Sequence, residues 1–156
     1  EEINHELIIE ADLEALGVDA GYVRSAMAPN PDTRRFMAAQ ESAVGFHQDP
    51  LLMLAAPLAA EGIAGRLDGR FVEALHANLA RWGIDEPRRA TRFFTSHIEF
   101  DGGDDGHWAH TVSVLERYIQ DEAQLQQFLS FLAVTTSAME GCYNSWCTDL
   151  SIFSGS

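Results

Sequence analysis

The chain has 156 residues and carries 24 Asp+Glu against 10 Lys+Arg, a formal charge of −14. Hydrophobic residues at 46% and charged residues at 22% exclude charge-driven disorder, and the length suits one domain. Fourteen excess negative charges repel phosphate backbones and anionic lipid heads, so nucleic acid and membrane surfaces are not expected partners, and no apolar run approaches the ~20 residues of a membrane span.

Taken in chain order, the pattern is helical throughout. The start, Glu1-Glu2-Ile3-Asn4-His5-Glu6-Leu7-Ile8, has helix formers and an apolar set but no Met and no preceding breaker. It is expected to enter partway along a helix whose upstream part is missing. Gly17 should end that helix, with Asp19 capping a short second one. Ala28-Pro29-Asn30-Pro31 breaks the chain, and Asp32 is placed to cap a third helix through Val44. After Asp49-Pro50, apolar residues from Leu51 to Leu79 recur at mostly three- and four-residue steps, predicting one long helix in which Pro57, Gly62 and Gly65 mark a kink or a close helix–helix approach. Gly83 and Pro87 end it. A fifth helix is expected from about Arg88 to Asp101, a sixth through Val112, Leu115 and Ile119, and a last long one from Phe128 to Phe153. No segment sustains period-two alternation and no repeat period is visible. The expected fold is all-α, a single helical-bundle domain over residues 1–156 with about six or seven helices.

The richest stretch for chemistry runs from Phe93 to His110. His97, Asp101 and Asp104 stand at i, i+4 and i+7, on one helical face, and His107 lies slightly off it. Gly102, Gly103 and Gly106 can unwind the backbone enough to bring His107 back. Imidazoles mixed with carboxylates suit iron, manganese or zinc rather than calcium or magnesium. A solvated acidic loop is the plain alternative for this stretch. Glu61 sits within Leu58-Ala59-Ala60-Glu61-Gly62-Ile63, the most apolar helix, where a carboxylate must be paired, protonated, metal-bound or turned outward. Glu2, His5 and Glu6 share a face at i, i+3 and i+4, and Glu-x-x-His is the arrangement by which helix bundles aim a carboxylate and an imidazole at a metal pair. His47 reads as a loop residue and His76 as a helix-surface one. Cys142 and Cys147 lie on an apolar helix face, too few for a disulfide framework, which fits a cytoplasmic protein.

On Glu2-x-x-His5, Glu61 and His97-x-x-x-Asp101, the chain resembles the non-haem di-iron oxidase branch of the haem-oxygenase-like superfamily. The resemblance implies a haem-oxygenase-like helical bundle that holds two Fe(II) ions and uses O2 as co-substrate. In that branch the third core helix reads His-x-x-x-Asp-x-x-His. Here Asp104 stands at the final position and the histidine comes only at His107, so either residue is open as the last ligand. The implied set is Glu2, His5 and His107 for one iron and Glu61, His97 and Asp101 for the bridge and the other. Asp104 or Glu6 is a possible extra ligand of the kind associated with N-oxygenases. The activity implied is oxidation of a small-molecule substrate, foremost N-oxygenation of an amino-acid amine in natural-product biosynthesis. Oxidative C–C cleavage of a fatty or amino acid is the second chemistry, and a homodimer is expected. The rivals are a metal-free enzyme on the same scaffold, a non-catalytic binding or assembly module with an outward acidic face, and a ferritin-like iron store.

Overall fold

In the computed structural model, residues 4–101 and 106–151 are described, with the backbone alone for Phe100, Asp101 and residues 146–151. Eight α-helices lie among them: α1 (His5–Ala15), α2 (Ala20–Ser25), α3 (Pro31–Ser42), α4 (Ala55–Ala64), α5 (Gly69–Arg81), α6 (Arg92–Asp101), α7 (His107–Tyr118) and α8 (Glu122–Ser151). The described residues contain no strand, so the all-helical reading holds. Short π-helical (Ala43–His47) and 3-10 turns (Leu52–Leu54 and Arg89–Thr91) continue α3 or lead into α4 and α6.

Two glycine stops act as expected, by one mechanism. Gly17 and Gly83 take φ of 76° and 85°, the left-handed region that a Cβ disfavours. Beyond each, paired hydrogen bonds close the helix end: Gly17 and Val18 N–H donate to the carbonyls of Glu14 and Leu13, and Gly83 and Ile84 to those of Ala80 and Leu79. Asp19 caps α2 through the Tyr22 N–H.

Three boundaries differ from expectation. α1 starts at His5 behind Asn4, which takes φ 72° in the left-handed region, so the helix is not entered partway and the helical face expected to join Glu2 to His5 is interrupted at Asn4. Asn30, not Asp32, caps α3, accepting from the Thr33 N–H at 2.8 Å. Pro31 then occupies the first helical position, where a missing N–H is harmless, and Asp32 falls in the first turn. The long apolar stretch is two helices rather than one kinked helix. Pro57 is tolerated early in α4, and the break comes later, where Asp68 accepts from the Phe71 N–H at 3.1 Å and starts α5 afresh. That split raises the seven expected segments to eight.

The chain divides into two compact units, Glu1–Ala28 with Glu61–His107, and Pro29–Ala60 with Trp108–Ser156. In the second, α3 packs along α8. Asn30 Nδ2 donates to Ser145 Oγ at 2.9 Å while Thr33 meets Cys142, so the two helices run antiparallel. Its core joins Ala43, Leu52, Ala55, Leu115 and Phe128. In the first unit, α1 packs on the 3-10 turn at Arg89–Thr91 and on α6. Arg24 of α2 pairs with Glu10 of α1 at 3.1 Å. Phe71 of α5 meets Phe94 at 6.4 Å between ring centroids, and His76 meets Thr91, so α5 runs antiparallel to that segment.

Candidate metal centre

His5 opens α1, and its ring lies across the gap between α1 and α6. It stands edge-on to the His97 ring, with centroids 4.9 Å apart and planes at 64°, and edge-on to Phe93 at 6.4 Å. Both histidines are half-buried. Phe93 sits one turn before His97, its ring 4.2 Å from the imidazole. Its carbonyl accepts a 2.8 Å hydrogen bond from His97 Nδ1. A carbonyl can only accept, so Nδ1 carries the proton and, in the neutral ring, Nε2 carries the lone pair. Metal-ligating histidines are oriented by that kind of outer hydrogen bond.

Two turns further along α1 stands Asp12, which is 7% exposed. Its Oδ2 accepts from the Phe93 N–H at 2.8 Å, and Oδ1 lies 3.6 Å from Arg92 Nε. His5 therefore faces the segment from Phe93 to His97 and Asp12 faces Arg92 and Phe93, which makes α1 and α6 antiparallel. Sequence reading passed over both Asp12 and Phe93. The signals were present: Asp12 shares a helix face with His5 at i+7, and Phe93 precedes His97 by four.

The other expected ligands are placed as follows. Glu61 is half-buried near the end of α4, and His107, also half-buried, opens α7. Glu6 is exposed on the first turn of α1. Asp101 ends α6, with its side chain not described, while Glu2 and Asp104 lie outside the described residues. Among the described residues no three His, Cys, Asp or Glu side chains come together as a metal-holding group. Among the described residues, His5 and His97 of the expected set are seen in direct ring contact.

The remaining histidines need one correction. His76 is no surface residue: it is half-buried, and its Nε2 is 2.8 Å from Oγ1 of the buried Thr91. His47 is exposed and rests edge-on against Phe131 at 5.5 Å. Cys142 is buried, as a core thiol should be. An open cleft of about 680 Å³, lined by Glu73, His76, Pro87 and Arg88 among others, contains none of the expected ligands.

His5 and His97 bring two imidazoles from separate helices together, and imidazole is a ligand type that suits a borderline metal such as Fe(II). The family model described as iron-containing redox enzyme matches residues 1–141. The chain belongs to that family. The resemblance to the haem-oxygenase-like superfamily is thereby confirmed, and the chain is an iron-containing oxidoreductase. No curated protein and no solved structure matches it. Among the described residues of this iron-containing redox enzyme no helix is long and apolar enough to cross a membrane.

Proposed function

We propose that this iron-containing redox enzyme is a non-haem di-iron oxygenase that uses O2 to oxidise a small organic substrate, with an amino-acid amine as the favoured target. The observation that supports the reading most is the His5–His97 pair: two imidazoles from different helices within 4.9 Å, one of them oriented through Nδ1. Iron, when bound, supplies the O2 chemistry that amino-acid side chains lack.

The chain's own residues have separate tasks. His97, fixed by the Phe93 carbonyl, directs Nε2 towards a metal without having to reorganise on binding. His5 supplies the second imidazole from α1. Glu61 and Asp101 supply carboxylates that neutralise the divalent charge, with Glu2 and His107 completing the set. Asp104 is the better candidate than Glu6 for an additional carboxylate, because Glu6 is exposed. The rings of Phe93, Phe94 and Phe71 form a line of edge contacts beside the pair, with Phe93 half-buried against His97 and with Phe94 and Phe71 exposed. In the reaction proposed, an amine N–H becomes N–OH. The second oxygen atom of O2 leaves as water, with two protons and two electrons from an external reductant.

The test is O2 consumption by Fe(II)-loaded protein and a reductant, offered a panel of amino acids and a panel of fatty acids. Amine-dependent uptake with a product heavier by one oxygen atom is expected. Iron-replete protein that ignores every amine, or that instead releases CO2 from a fatty acid, overturns the assignment.

A further inference from the structure

Asp12 is the most buried carboxylate described, yet the chemistry above leaves it unused. It lies seven residues after His5, so their Cα atoms are about 10 Å apart along α1, too far for both to serve one ion. One of its oxygens accepts the Phe93 N–H at 2.8 Å. The other has no hydrogen-bond partner among the described residues and lies 3.6 Å from Arg92 Nε, whose side chain is half exposed. A carboxylate 7% exposed and tied to one backbone N–H on a neighbouring helix fixes the register of those two helices.

Phe93 is what gives that register a consequence. The same residue takes Asp12 on its N–H, His97 Nδ1 on its carbonyl, and both imidazoles against its ring. Movement of Phe93 along α1 would displace the His97 ring from His5. We infer that Asp12 is a positioning residue: by holding the Phe93 N–H it sets α1 against α6 and so keeps the two imidazoles at ligating distance from a common site. The inference rests on the reading of His5 and His97 as iron ligands.

Three substitutions separate geometry from charge. Asp12→Asn keeps an oxygen for the Phe93 N–H and removes the charge. Asp12→Glu keeps the charge and adds a methylene that a site this enclosed cannot take without moving a helix. Asp12→Ala removes the acceptor altogether. Two readouts are needed: the nuclear Overhauser contact between the His5 and His97 rings in metal-free protein, and Fe(II) affinity by chelator competition. In Asp12→Ala the ring contact is expected to vanish and Fe(II) affinity to fall by about 10- to 100-fold, the usual effect of losing an outer-shell partner. Asp12→Asn should keep both near the parent's values, and Asp12→Glu should lose the ring contact. The inference is overturned if Asp12→Ala keeps the contact and the affinity, or if Asp12→Asn loses them while Asp12→Glu keeps them, since charge rather than position would then matter. The Asn and Glu variants decide the matter alone if Asp12→Ala does not fold. If the parent takes up no iron, the oxygenase reading fails, but the ring contact in metal-free protein still tests Asp12.

Discussion

Two buried threonines should respond in opposite directions to the same replacement by valine. Thr135 on α8 is 0% exposed, and its Oγ1 has no hydrogen-bond partner among the described residues. Thr91 is 2% exposed, but its hydroxyl is fully used: it donates to the Pro87 carbonyl at 3.1 Å and meets His76 Nε2 at 2.8 Å. Valine matches threonine in shape and in helix propensity, so the substitution isolates the hydroxyl. A buried hydroxyl without a partner costs about 1–3 kcal/mol, so Thr135→Val should stabilise by up to that amount. Thr91→Val forfeits two hydrogen bonds worth about 0.5–1.5 kcal/mol each and should destabilise by about 1–3 kcal/mol. For a chain of this size each kcal/mol moves Tm by roughly 2–4 °C, so the two variants should diverge by at least about 2 °C in a thermal melt. The residues belong to different compact units and share no partner, so the double variant should fall near the parent. If both substitutions shift Tm in the same direction, the reading of these hydroxyls is wrong.

Gly17→Ala and Gly83→Ala should each cost about 1–2 kcal/mol in urea unfolding, since both take positive φ and a Cβ there meets nothing within 4 Å, leaving backbone conformation as the sole penalty. A loss below about 0.5 kcal/mol, the range of inert surface changes, contradicts this. Asn30→Ala removes both the α3 cap and the bond to Ser145, and should cost about 1–2 kcal/mol. Asn30→Asp, which keeps the cap acceptor, should recover part of that loss. Asp68 has its carboxyl held below the usual 3.8, first by the Arg70 side chain and then by the Phe71 N–H. A depressed folded-state value means its contribution is complete above pH 3.8 and disappears as pH falls through the lower folded value. Acid titration followed by circular dichroism should therefore show a component below pH 3.8 that Asp68→Asn lacks, and an identical acid profile for that variant argues against a stabilising charge on the Asp68 carboxylate.

Much of the helix layout was legible because its signals are local. Gly17, Gly83 and Asp19 act on groups within five residues, the glycines on carbonyls of the turn before them and the Asp19 carboxylate on the Tyr22 N–H after it, which the sequence displays directly. The Asn30–Pro31–Asp32 cluster misled because two cap-competent residues flank one proline, and the proline settles the choice for the residue before it. The break at Asp68 was hidden under continuous apolar spacing: periodicity survives a helix restart when the loop is short. His5 and His97 were legible as donors, but their meeting is tertiary information. Asp12 was invisible as anything but one acid among many, since its role depends on which N–H lies across from it. The spread of negative charge did not mark the site. Glu6 shares its turn with His5 and is nonetheless exposed.

The proposal that His5 and His97 anchor a two-iron centre is tested most directly by iron content and Mössbauer spectra after anaerobic Fe(II) loading. The parent is expected to hold two ferrous ions per chain, and His97→Ala and His5→Ala to lose bound iron while remaining folded by circular dichroism. A parent that binds no iron, or a His97→Ala variant that binds it as fully as the parent, contradicts the claim.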